Sequence, residues 1–174
     1  MISRNPLNTE KEPQNPSVQS KLIDIVMNIP FFAMLDNSEL SVVAKHMNYF
    51  EIEKGETLFK EGDPGNSICF VIKGALYVYK ESSIPGEQMH IATITKYKSI
   101  GEMAVIDEYT RSATVSAGID TEIVSLTKRG FDAILSENPA VGAAILKKIA
   151  ILVSMNLRRT SSRLADAMSA LPIT

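Results

Sequence analysis

Between Lys21 and Asn48 the apolar positions recur at helical spacing: Leu22, Ile25, Val26 and Ile29, a break at Pro30, then Leu40, Val43, Ala44 and Met47 behind an Asn37-Ser38-Glu39 start. This pattern predicts two short helices. From Tyr49 to Leu126 it changes to short segments rich in Val, Ile, Tyr and Thr, punctuated by Gly55, Gly62, Pro64-Gly65, Gly74, Pro85-Gly86, Gly101 and Gly118. Strands at that spacing make a roll or barrel. The segments Ala75 to Lys80 and Gln88 to Thr95 read as neighbouring strands joined by a turn over Glu81 to Glu87. Pro139 suits the first turn of a helix, and from Ala143 to Leu171 neither Gly nor Pro interrupts.

Within that last helix Leu146, Ala150, Val153, Leu157, Thr160, Leu164, Ala167 and Leu171 alternate steps of four and three, the seam of a coiled coil with one polar member at Thr160. At roughly 1.5 Å per residue the helix is about 40 Å long, more than one roll covers. A homodimer through this C-terminal helix is the simplest solution; the other is a helix folded back on its own domain. The fold class expected is α+β: an antiparallel β-roll, jelly-roll-like, flanked by short N-terminal helices and a long C-terminal helix. Residues 1–20, polar and carrying prolines at 6, 13 and 16, are expected to form a disordered tail. Residues 21–135 form the roll domain and 136–174 the dimerisation helix.

Composition narrows the function classes. With 174 residues, 45% of them hydrophobic, the chain can bury one good core. A net charge of -2 gives no basic footprint for nucleic acid. The single cysteine, Cys69, excludes an internal disulfide and lies in the apolar run Ile68 to Ile72, where a buried strand residue is expected. His46 and His90, far apart in sequence, suggest no metal site. No signal peptide is evident and no unbroken apolar run approaches the roughly 20 residues of a membrane span, so a soluble, cytoplasmic protein with no membrane partner is expected. No Ser-His-Asp set or activated cysteine points to an enzyme.

The candidate chemistry lies in Gly101 to Thr114, G-E-M-A-V-I-D-E-Y-T-R-S-A-T. A glycine lets backbone amides approach a ligand, the short M-A-V-I run can aim N–H groups at negative charge, and Arg111 supplies a guanidinium. Glu102 would repel an anion, so it should accept hydrogen bonds from another part of the same ligand, and sugar hydroxyls are the obvious donors. Together they read as a site for sugar plus phosphate.

These residues resemble the phosphate-binding cassette of the cyclic nucleotide-binding domain family, F-G-E-L-A-L-I followed by a short loop and R-[AST]-A-T. A second stretch, G-E-T-L-F-K-E-G-D-P-G-N-S-I-C-F-V-I-K-G-A-L-Y-V from Gly55 to Val78, is similar to that family's strand-and-turn motif. Ile29 to Leu40 looks like its entry helix, and Ser125 to Leu135 like the strand and turn leaving the roll. The resemblance implies that Glu102 binds the ribose 2'-hydroxyl and Arg111 the cyclic phosphate. It also implies that Gly101, Met103 and Ala104 line the cradle with backbone while Ser112 and Ala113 touch the phosphate from the far side.

Departures from the family pattern are Ile100 in place of Phe, Tyr97-Lys98 in place of Gly-Asp, and no Pro before Arg111. Thr160-Ser161 resembles the base-contacting pair of the catabolite-activator branch. Its other reading is a polar step that sets the register of the seam. Arg159 and Arg163, and R-R-T-S, read as a solvated basic face.

The function this implies is a cyclic mononucleotide sensor, for cyclic AMP rather than cyclic GMP, whose ligand shifts the C-terminal helices and so signals to an effector protein not identified by the sequence. The alternative is a structural dimerisation module of the same fold that no longer binds nucleotide. A DNA-binding module is not expected in this chain, nor is a cofactor beyond the nucleotide ligand.

Overall fold

The computed structural model describes residues 16–82, 84, 86–107 and 109–169. Helix α1 spans Pro16–Met27. It begins ahead of the boundary expected at Lys21, so the last residues of the expected tail are helical. A proline is at home in a first turn because its missing N–H has no intrahelical partner there. The rest of the expected tail lies outside the described residues.

Pro30 opens a 3-10 turn, Pro30–Phe32, that buries Phe31 and Phe32; Phe31 meets Phe70 edge-on with centroids 5.1 Å apart. Helix α2, Asn37–Lys45, starts where the sequence predicts because Asp36 caps it: its Oδ1 accepts from Ser38 N–H at 2.8 Å and Glu39 N–H at 3.0 Å. Glu39 in return accepts from Asp36 N–H at 2.9 Å, closing a capping box.

Eight strands follow: β1 Met47–Ile52, β2 Thr57–Phe59, β3 Ser67–Lys73, β4 Ala75–Glu81, β5 Gln88–Thr95, β6 Ser99–Ile100, β7 Thr114–Ala117 and β8 Thr121–Thr127. They form two antiparallel four-stranded sheets, ordered β1-β8-β3-β6 and β2-β7-β4-β5. The core divides across β3. Cys69 and Val71 point between the sheets toward Leu58, Leu76, Val115 and Ile123. Ile68 and Phe70 point the other way, into a layer with the N-terminal helices, α3 (Lys128–Glu137) and the start of the last helix. Because successive side chains face opposite sides of a strand, burial on both faces turns the usual alternation into the continuous run I-C-F-V.

Helix α4, Pro139–Ser169, behaves as two halves. Val141, Ile145 and Ile149 are buried against the helical layer, with Leu152 and Val153 partly so. From Ser154 onward every described residue is exposed. Of the two expectations for this helix, the fold-back holds for its first half, and the second half projects. The seam lies largely off the self-packing face, with Leu157 66% and Leu164 60% exposed. Leu171 lies outside the described residues.

One expectation needs correcting. Helix α4 contains an 18-residue window of mean hydropathy 1.7, long and apolar enough to cross a membrane, of which 22% is buried within the protein. Counting unbroken apolar runs overlooks it, because scattered polar residues divide the stretch without lowering its average below that of a span.

Candidate functional site

The site forms where the two sequence motifs meet. Asp63 O accepts from Arg111 N–H at 2.8 Å and Arg111 O from Gly62 N–H at 2.9 Å, and Pro64 bridges Thr110. Gly65 is packed so tightly against Ala104 and the Tyr109 carbonyl that a Cβ there would collide with both. Gly101 follows β6 at φ +83, and a side chain on it would strike the Arg111 guanidinium and the Ser67 carbonyl. Both positions therefore require glycine. The M-A-V-I run winds only one 3-10 turn, Met103–Val105, rather than an α-helix.

Arg111 is 4% exposed. Its Nη1 donates to Ser67 O at 2.8 Å and to Gly101 O at 3.4 Å, and its Nη2 to Ser67 Oγ at 3.0 Å. The guanidinium lies over the Phe59 ring, 4.1 Å from its centroid. Its Nε is buried without a hydrogen-bond partner. Burial disfavours its charge, and the negative charges of Asp63 and Glu102 nearby favour it. Among the described residues no carboxylate is salt-bridged to this cation, which suits it to an anion brought by a ligand.

Glu102 is 8% exposed. Burial pushes its carboxyl pKa up, against the opposing effects of its own backbone N–H, the Asn156 amide and Arg111. Asn156 Nδ2, on α4, donates to Glu102 Oε1 at 3.0 Å. Gly101, Glu102, Met103, Ala104, Arg111, Ser112 and Ala113 all line one open concavity. The expected cradle residues are therefore brought together.

Phe59, Ile100, Asp107, Tyr109, Thr110 and Val115 complete the lining. Sequence reasoning did not single them out for the site. Phe59 was hidden as one more apolar strand residue, and only its register in β2 beside β7 places it under Arg111. Lys80 Nζ donates to the Ser112 carbonyl at 2.9 Å and is paired with Glu61, holding the chain just after the arginine. Thr160 and Ser161 do not line the concavity: both are exposed on the projecting half of α4. The structure of the single chain does not bring them to the cradle.

Cys69 is fully buried beneath this site, and burial raises its thiol pKa to about 11. His90 on β5 sits edge-on to Tyr77 and Tyr79 on β4.

Residues 49–138, just over half of the chain, match the family model of the cyclic nucleotide-binding domain. The chain belongs to the cyclic nucleotide-binding domain family. A solved cyclic nucleotide-binding domain from Methylobacillus flagellatus shares its fold with a TM-score of 0.74 and 25% identity, covering 90% of this chain and 86% of that one. A CRP-like cAMP-activated global transcriptional regulator from Mycobacterium tuberculosis is 22% identical over 144 residues, 82% of this chain and 62% of the regulator. Lysophospholipase nte1 from Aspergillus fumigatus is 30% identical over 107 residues, 60% of this chain and 7% of that enzyme. The chain spans less than two thirds of either curated relative. The stretch Gly101 to Thr114 lies inside the span matched to the cyclic nucleotide-binding domain.

Proposed function

We propose that this domain is a sensor for a cyclic mononucleotide, cyclic AMP in preference to cyclic GMP, in the cytoplasm. Its ribose 2'-hydroxyl donates to Glu102, and its cyclic phosphate takes the Arg111 guanidinium together with the backbone around Gly101 to Ala104. The observation that carries this reading is the convergence of one buried carboxylate and one buried guanidinium with an unpaired N–H on the same concavity. The exposed seam of α4 supports a two-fold homodimer, in which Thr160 and Ser161 reach the base in the partner's site. A ligand biases such an assembly only through its differential affinity for two arrangements of the helices, so it must touch both the cradle and α4. The output is read by a partner protein that recognises the helices.

Ser67 favours a second reading, a dimerisation module that binds no nucleotide, because it already occupies two of the arginine's nitrogens. Calorimetry with cyclic AMP and cyclic GMP separates the two. Wild type should release heat with cyclic AMP. Glu102→Ala should weaken binding about tenfold and Arg111→Ala about a hundredfold or more, since charge-assisted forked bonds to phosphate are the stronger kind. Arg111→Lys, which keeps the charge and loses the fork, should fall between wild type and Arg111→Ala. No heat from either nucleotide in wild type leaves the dimerisation module standing.

A further inference from the structure

Asn156 is assigned no role by the motifs or by the lining of the concavity, yet its amide reaches from α4 to Glu102, the one buried acidic side chain among the described residues of the cassette. Among the described residues it is the one side chain on the exposed half of α4 that hydrogen-bonds to the roll; Ser162 and Ser169 only bond back to their own helix. Glu102 is where such a bond matters. Burial works against its charge, and an N–H donor at Oε1 offsets part of that cost while fixing which way the second oxygen faces. An ionised, oriented carboxylate is a strong acceptor for a hydroxyl. A protonated or rotated one is a weak acceptor.

We propose that Asn156 is a positioning residue that aims and charges Glu102 for the sugar hydroxyl and makes α4 the reporter of sugar occupancy. The contact does not reach the ligand itself. It lets whatever draws on Glu102 from the concavity act on the helix from the other side, one helical turn before Thr160. Loosening α4 at this point costs the protein sugar recognition, and losing the sugar loosens α4.

This rests on the proposed nucleotide site, and the test separates the two. Cyclic AMP and its 2'-deoxy analogue are titrated into wild type and Asn156→Ala, and amide hydrogen exchange of residues 150–158 is followed without ligand. Wild type should favour the 2'-hydroxyl about tenfold, the effect of one charge-assisted hydrogen bond. In Asn156→Ala that preference should shrink to about threefold or less, with affinity for the deoxy analogue nearly unchanged, and exchange over residues 150–158 should quicken. A general loss of structure would weaken both ligands alike, so the selective loss is diagnostic of positioning. Equal discrimination by both proteins overturns this inference alone. A wild type that binds neither nucleotide overturns the sensor reading and the sugar part of this inference with it, and unchanged exchange then overturns the rest.

Discussion

Burial at Glu102 sets the sign of a pH effect. Its folded pKa lies above the ordinary 4.5. The folded protein thus holds this proton more tightly than the unfolded chain, and stability falls as pH rises from about 4.5 through the folded pKa and is level above it. The cost is complete only above the folded pKa and is absent well below 4.5, where both states are protonated. Glu102→Gln keeps an acceptor for Asn156 and removes the charge, so the ligand-free variant should melt a few degrees higher than wild type at pH 7, with the gain shrinking at pH 4. Thermal scans at the two pH values check this; a variant less stable at pH 7 would mean that the carboxylate is better compensated than its burial indicates. The residue that stabilises the ligand complex is then one that destabilises the empty fold.

Tyr97 shows a second local cost. It sits at φ 65, the left-handed region that favours glycine, and the family pattern carries glycine there. Its ring packs against the helical layer, with Lys96 Nζ 4.8 Å from the centroid. Comparing Tyr97→Gly with Tyr97→Ala removes the ring in both and the strain in one. Urea unfolding should find the glycine variant more stable than the alanine variant by about 1 kcal/mol, the reverse of their order in ordinary backbone. Equal stabilities would show that the turn relaxes around alanine.

Among the elements, those with a local physical signature were legible in the sequence. Strands β4 and β5 declared themselves by residue type and the Pro-Gly turn between them, α2 by its Asn37-Ser38-Glu39 start, and α4 by Pro139 and an uninterrupted run. The start of α1 was not, since polar residues around Pro16 favour disorder as readily as a first turn. The cassette was legible because its chemistry is local, with Glu102 and Arg111 within ten residues of each other. What it rests on was not. Ser67 lies 44 residues from Arg111 and Asn156 lies 54 from Glu102, and only the pairing of strands and the docking of α4 bring them near. Nor does periodicity tell which stripe of α4 stays at home: the stripe with Ile145 and Ile149 packs on the domain, leaving Leu157 and Leu164 outside.

At the scale of the whole molecule, two sheets and a helical layer place the cradle on one side and let half of α4 project from the body. The proposed homodimer would cover the apolar side chains of that projecting half. Leu157→Asp combined with Leu164→Asp should reduce a dimer to the mass of one chain in sedimentation equilibrium while leaving the melting of the roll within a few degrees, because neither side chain touches the core. An unchanged mass would remove the seam from the interface and turn attention to the apolar window that α4 also carries.

The silence of Cys69 has a practical consequence. It is the chain's single thiol, sealed in the core with almost no thiolate at neutral pH because its pKa is raised to about 11. A maleimide or nitroxide probe offered to the native protein will thus find no handle until one is engineered. A cysteine introduced at an exposed position of α4 can carry a dye or spin label with the natural background intact, which makes the motion of that helix directly measurable.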